Sequence, residues 1–396
     1  GAKVEPVALI SQHNLNGIAS CLGILKAGKI LVVVDPSLPI ERVGNMLENS
    51  QPSAIVTDGN NLWFAESIAK NELPVIDMDA LGSNLSEANL GLRIAPDAPA
   101  QIVYSSGSTG QSKGIFFNYQ RILHDVMGDV NEPHVCPDDR VILLHKLTFS
   151  AGVRILFQAL LSGAAIFPYD IKEKGLANLA TFLNKERITT FRPGISTFRH
   201  FINQRNGTDE FPLIRLIELG GGPLFKSDVD AYKELFSRKC VLLHRLSSSE
   251  TGNLCRYFID KDTELSGAIA PAGYPVKGKE ILLLDENGKE VEQTQVGEIA
   301  VRSRYLSSGY WRNPELSNVS FLPDPDHKGQ HIFLTGDLGQ MTPDGCLRHL
   351  GRKDFRVKIR GYRVEITEVE RALLAHPQVK ETGVMAWARE SGEMYL

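Results

Sequence analysis

Between Tyr104 and Gly114 the chain reads Tyr-Ser-Ser-Gly-Ser-Thr-Gly-Gln-Ser-Lys-Gly. Gly107, Gly110 and Gly114 let backbone N–H groups approach an anion, while the serines, Thr109 and Lys113 add donors and positive charge. That chemistry is a cradle for phosphate. It is not a Walker loop, because Ser112 precedes Lys113 and Gly114 follows where Ser or Thr is needed. A solvated Gly/Ser surface loop has the same composition, so the stretch alone leaves both readings open.

Such a loop needs a strand to anchor it, and the apolar pair Ile102-Val103 stands just before it. Leu15 to Ala27 reads as a helix ended by Gly28, followed by a β-branched strand from Lys29 to Val34 stopped at Asp35-Pro36. Ile40 to Asn49 is again helical and Ser53 to Thr57 strand-like. The rhythm predicts a mostly parallel sheet with helices on its faces, continuing to about Phe258. Ser150 is placed to N-cap a helix carrying Val153, Leu156, Phe157, Leu160 and Leu161, with Gly163 ending it. After about Lys261 the texture changes: Lys279–Leu284, a turn at Asp285–Gly288, Lys289–Val291 and Val296–Ser303 predict a small antiparallel β unit. Beyond Gly351 a strand from Phe355 to Ile359, a turn at Gly361 and a helix from Thr367 to Ala375 follow.

Composition bounds the class. The chain has 396 residues, 42% hydrophobic and 23% charged, which excludes a disordered chain and suggests two or three domains. A net charge of −4 gives no basic excess for nucleic acid or an anionic membrane surface. No apolar run reaches membrane-spanning length, and the first residues lack the layout of a signal peptide. The five cysteines form no C-x-x-C, so free thiols in a reducing cytoplasm are expected.

Taken with later segments, the Tyr104–Gly114 loop resembles the signature loop of the adenylate-forming enzymes, in particular the adenylation domains of nonribosomal peptide synthetases. Leu25-Lys-Ala-Gly28 with Val34-Asp-Pro36, Gly297-Glu-Ile299, Ser308-Gly-Tyr-Trp311, Thr335-Gly-Asp337 and Gly351 to Glu365 resemble further motifs of that superfamily in its order. The resemblance covers the whole chain. It implies an α/β fold: a large adenylate-forming core of βαβ subdomains over residues 1–353, with a β-barrel-like subdomain from about 261, and the start of a small, mobile α+β domain over 354–396. The family's catalytic lysine near the end of that domain has no counterpart before Leu396, so that domain is expected to be incomplete.

What the resemblance implies about residues is specific. Thr109, Lys113 and Glu250 would be catalytic, with Glu250 in Ser247-Ser-Ser-Glu-Thr251 also the Mg2+ ligand. Ser105, Ser106, Gly107, Ser108, Gly110, Gly220, Gly221, Ser249, Asp337 and Arg352 would bind ATP, Asp337 accepting from the ribose hydroxyls. Leu246 stands where the family places an aromatic against adenine. Asp354 would be the hinge. Ser150, Ala151, Arg154, Gly194, Ile217, Leu219, Arg245, Asn253 and Leu254 fall at acyl-pocket positions.

In the peptide synthetase branch an aspartate at the position of Ser150 pairs with the substrate's α-ammonium. A hydroxyl cannot offset that charge, so an acid without an α-amine is expected: keto, hydroxy, aryl or aliphatic. Asp170 or Glu218 could rescue an amine from elsewhere, and Arg154 and Arg245 could bind a second acidic or carbonyl group. The implied function is ATP-dependent formation of an acyl-adenylate with release of pyrophosphate. Transfer to the phosphopantetheine thiol of a carrier protein would follow. A free-standing acyl- or aryl-CoA ligase would use the same core, and a non-catalytic adenylation-like binding module is the alternative of another class.

Overall fold

A computed structural model describes residues 4–396 except 71, 83, 106–112, 205–209, 293, 354–355, 360, 367–368, 370–371, 374–375, 377, 380–381, 383 and 390–392. Strands β1 (Pro6–Ile10), β2 (Ile30–Val34), β3 (Ile55–Thr57) and β4 (Val75–Asp77) lie parallel, with α1 (Leu15–Lys26), α2 (Ile40–Ser50) and α3 (Leu62–Ala69) between them. β1 and β2 are buried along their whole length, which is why they read as unbroken apolar runs. The strand β5 (Pro99–Ser105) joins parallel to β2, and β6 (Lys113–Asn118) returns antiparallel to β5, pairing Ser105 with Lys113. The ends of the Gly/Ser loop are therefore held in register, while residues 106–112 lie outside the described part.

Helix α4 (Tyr119–Asn131) leads into a second sheet of β7 (Arg140–Leu143), β8 (Ala165–Pro168), β9 (Thr190–Phe191), β10 (Leu216–Gly220), β11 (Val241–Ser248), β12 (Gly252–Ile259) and β13 (Tyr274–Pro275), ordered β13-β12-β11-β10-β9-β7-β8. Helix α5 (Ser150–Leu161) sits between β7 and β8 and packs on α4. Ser150 is its first helical residue rather than its cap: Phe149 takes the N-cap position in extended backbone, with no side-chain capping bond.

The third sheet contains β14 (Glu280–Leu284), β15 (Gly297–Ser303), β17 (Phe321–Pro323), β18 (His331–Met341) and β19 (Leu347–Arg352), all antiparallel neighbours. Among the described residues no pairing closes it, so the expected barrel-like unit is an open sheet. Residues 289–291 make one isolated bridge to Leu284, not the expected strand. Strand β16 (Gly309–Tyr310) leaves this unit to pair with β6 of the first sheet. A two-stranded ribbon, β20 (Arg356–Ile359) and β21 (Tyr362–Glu365), follows the third sheet. Most of the helix expected over 367–375 lies outside the described residues, as does Asp354.

Candidate functional site

The β11–β12 hairpin carries Glu250 at its turn. Gly252 opens β12 at φ +67, and a Cβ there would come within 2.4 Å of an Asp125 carboxylate oxygen, so the turn must keep a glycine. Lys279 braces the turn from below, donating to the carbonyls of Asn253, at 2.7 Å, and Thr251. Its Nζ is fully buried 3.3 Å from Asp125, and burial lowers its pKa to about 8. The Ser307 amide caps the Glu250 carbonyl at 2.8 Å. Beside it, the Trp311 amide donates to the Gly114 carbonyl at 2.6 Å, which brings the end of the Gly/Ser loop near the hairpin.

Glu250 faces a cleft whose walls are Leu246, Ser247, Ser248, Thr251, Phe333, Thr335, Asp337 and Arg352. Asp337 on β18 and Arg352 on β19 are direct cross-strand partners, with Nη1 3.0 Å from Oδ1, and His349 Nε2 lies 3.5 Å from the other oxygen. Thr335 anchors the strand by donating to the Ile299 carbonyl. The structure thus brings together Glu250, Asp337 and Arg352 from three distant motifs. The donor set fits a nucleotide and its metal: carboxylates for ribose hydroxyls and a hard cation, a guanidinium for phosphate. Phe333 supplies an aromatic wall beside Leu246, the residue that the resemblance sets against adenine.

The predicted loop residues Ser106, Gly107, Ser108, Thr109 and Gly110 lie outside the described residues. Ser105 and Lys113 mark its two ends. Ser249 lies in the hairpin turn beside Glu250. Gly220 ends β10, and Gly221, just after it, is exposed with φ +91.

The acyl-pocket positions divide between two faces. Ile217 and Leu219 are wholly buried in an apolar cluster with Phe191, Leu224 and Leu242, away from the other predicted residues. Strand alternation explains this: side chains on β10 switch faces at each step, so Glu218 between them is the one that meets Arg154 and Arg245. Leu254 likewise packs in the core of the third sheet and touches the nucleotide cleft. Ser150 and Ala151 stay half-buried on the first turn of α5, and Gly194 bridges Gly220.

Arg245 is buried and Arg154 mostly so, its side chain 12% exposed. Arg154 donates to Glu218 at 2.7 Å and to Asp129, and Arg245 Nη2 donates to Glu218 at 3.0 Å with Nη1 2.9 Å from Asp129. Arg192 lies 3.3 Å from Glu218 and donates to Gln158, while Arg256 lies 2.6 Å from Asp129. Asn253 donates to the same aspartate at 3.2 Å. Burial would raise both carboxyls, but the surrounding guanidiniums outweigh it and hold them below their usual range, Glu218 well below. His145 adjoins the cluster; burial first, then Arg154, push its pKa down to about 4.

Sequence reasoning missed Asp129, Arg192 and His145 as members of this cluster. A separate cavity of about 300 Å³ lined by His13, Asp35, Lys146 and Lys172 touches none of the sequence-predicted site residues. Asp170 lies there with Leu147 and Thr148 and caps the short helix Ile171–Lys174, and it makes no ion pair with the Arg154 cluster among the described residues.

The AMP-binding enzyme family model matches residues 1–311. The chain belongs to this family. Surfactin synthase subunit 2 of Bacillus subtilis (strain 168) is 32% identical over 99% of the chain, which covers 11% of that protein. Tyrocidine synthase 2 of Brevibacillus parabrevis is 30% identical over 98% of the chain, which covers 10% of it. The chain therefore spans a small fraction of these relatives. It has the fold of a solved NRPS protein containing adenylation and PCP domains: TM-score 0.83 at 23% identity, covering 98% of this chain and 67% of that one. These likenesses place the chain in the nonribosomal peptide synthetase adenylation branch of the adenylate-forming enzymes. Among the described residues no helix is long and apolar enough to cross a membrane.

Proposed function

We propose that this adenylation domain activates a carboxylic acid lacking an α-amine, and that a carrier-protein phosphopantetheine thiol then takes the acyl group. In the first step a carboxylate oxygen bonds the α-phosphorus of ATP, and the bond to the bridging oxygen breaks as pyrophosphate leaves. Asp337 accepts from the ribose hydroxyls, and Arg352 holds Asp337 in place while lining the cleft. Glu250 holds Mg2+, which neutralises phosphate charge when bound. Donors from Ser105 to Lys113, including Thr109, surround the phosphates. Residues 1–353 form the core and 354–396 begin the mobile domain, turning about Asp354. The likeness to an NRPS protein that itself carries a PCP domain supports the carrier as partner.

The observation that carries the substrate reading is the state of Glu218. With Asp170 elsewhere, it is the candidate near the pocket to replace the missing aspartate at Ser150, yet it lies among Arg154, Arg192 and Arg245. An ammonium brought there would enter a field already positive and lose its water without gaining a free anion. An acid with a keto group, a hydroxyl, an aryl ring or plain carbon at that place meets no such cost.

Ser150→Asp tests this directly in the full-length protein. In pyrophosphate exchange the variant is expected to improve an α-amino acid relative to its hydroxy analogue by about tenfold or more. A variant in which that ratio does not move, in a protein that already activates the amino acid well, would overturn the reading.

A further inference from the structure

The hairpin that carries Glu250 is not placed by its own ladder alone. Pairing of β11 with β12 shifts register between Leu246 and Ser247, and beyond that bulge the ladder ends with Ser247–Asn253 and Ser248–Gly252. Ser248 Oγ closes the turn from within, accepting from the Thr251 amide at 3.1 Å. From the third unit the Ser307 amide reaches the Glu250 carbonyl, and the ammonium of Lys279 reaches the backbone just after it.

An ammonium has three protons to give and accepts none. Those of Lys279 meet three acceptors: the carbonyls of Thr251 and Asn253, on either side of Gly252, and Asp125 Oδ1 on α4. The side chain is wholly enclosed. Burial would raise the Asp125 carboxyl, but the charge of Lys279 outweighs it and holds that carboxyl below its usual range.

The base of this side chain is equally fixed. Gly278 stands at φ +82, and a Cβ there would come within 3.0 Å of His124 Nε2 and of the Tyr305 ring. Ser303 Oγ donates to the Gly278 carbonyl at 2.7 Å. His124 stacks on Tyr305, ring centroids 3.8 Å apart, with Nε2 2.8 Å from the Lys277 carbonyl oxygen. Lys279 leads straight into β14, and the sheet of β14 and β15 also carries Asp337 and Arg352. One side chain therefore runs from the sheet of the ribose acceptor to the turn of the Mg2+ carboxylate.

We propose that Lys279 is a positioning residue for metal-bound ATP. By holding the Thr251 and Asn253 carbonyls against the third sheet, it keeps Glu250 opposite Asp337, so that one nucleotide can meet both. This rests on the reading of Glu250 as the residue that holds Mg2+. None of the motifs that carry the family resemblance includes Lys279.

The test is calorimetry on the full-length protein with two ligands: ATP saturated with Mg2+, and AMP in EDTA, which can use Asp337 and Arg352 without a metal. The variant pairs Lys279→Met with Asp125→Asn. It removes one charge of each sign, so no lone carboxylate is left buried and the net charge near Glu250 is kept. Affinity for Mg2+-bound ATP is expected to fall at least about tenfold, and affinity for AMP by less than about twofold. An equal fall for both ligands would mean a general loosening of the fold and would overturn the proposal, as would no fall at all.

A second comparison asks whether the effect passes through Glu250. In a Glu250→Gln background the same pair should cost less than about a further twofold, because the carboxylate it places is already gone; a full additional loss refutes the proposal. If Glu250→Gln alone leaves affinity for Mg2+-bound ATP unchanged, the metal reading of the preceding section falls, and this proposal with it. If Glu250→Gln weakens that ligand and the pair does not, only this proposal falls. Should the pair not fold, Lys279→Gln decides: its shorter, neutral amide should weaken Mg2+-bound ATP by at least about threefold with AMP unmoved, and any other pattern refutes the positioning role.

Discussion

At the scale of single residues, the roles of Glu250, Asp337 and Arg352 can be separated by what each loses. Asp337→Ala removes an acceptor for the ribose and frees Arg352 from its 3.0 Å partner. Nucleotide affinity is expected to drop about tenfold by calorimetry, the scale of a lost charge-assisted hydrogen bond; unchanged affinity would take Asp337 out of the site. Glu250→Gln keeps the hairpin but holds Mg2+ poorly, so exchange at limiting Mg2+ should slow at least about a hundredfold, a carboxylate being the ligand a hard cation wants. His145 gives a pH signature. Its pKa is depressed to about 4 in the fold against roughly 6.5 when unfolded. Between those values only the unfolded chain takes up the proton, so stability is lost as pH falls from about 6.5 toward 4, amounting to about 2 kcal/mol at pH ~5. Urea titrations at pH ~7.5 and ~5 should show His145→Asn losing less than the wild type by that amount. The site residues inside motifs were legible because each motif is local. Arg192, Asp129 and His145 were not, because what defines them is one shared cluster assembled from α4, the residue after β9 and the segment before α5.

At the scale of elements, the start of α5 carries Ser150, Ala151 and Arg154, the residues that the proposed function places at the acyl pocket. Gly152 seats that turn: a Cβ there would lie 2.3 Å from the Lys146 carbonyl oxygen and 2.7 Å from that of His145. Gly152→Ala must push α5 away from this loop, at a cost of about 1–3 kcal/mol. A lower melting temperature is expected together with a uniform fall in kcat/KM across acids; a change in preference without loss of stability would mean that the helix tolerates the methyl. Helix α1 and strands β2 and β15 were legible to within a residue or two, because their apolar period and their stop signals agree. The register of β10 was not. A one-residue offset swaps faces, and in a strand apolar on both sides of Glu218 only the partners of that carboxylate reveal which face carries the arginine cluster. The cap of α5 was misplaced because Ser150 has the favoured residue type, whereas the extended backbone at Phe149 sets where the helix begins.

At the scale of the whole molecule, the cleft exists because the second and third sheets meet. Glu250 comes from the second sheet, Asp337 and Arg352 from the third, and β16 crosses from the third unit to the first beside the end of the Gly/Ser loop. The order of motifs along the chain revealed this class of fold, but not that the β unit is, among the described residues, an open sheet, nor that Arg154, Arg192, Arg245 and Arg256 gather on Asp129 and Glu218. Under the function proposed above, that cluster, with Ser150 in place of an anion, would set this chain apart from a pocket built to hold an ammonium. The most direct measurement is the ratio of kcat/KM for a matched pair, a keto or hydroxy acid and its α-amino analogue, by pyrophosphate exchange on the full-length wild-type protein. The amine-free acid is expected to win by about a hundredfold, the scale of an ammonium left unpaired in a buried site. Preference for the amino acid by about tenfold or more would contradict the account and return Glu218 to the role of its partner.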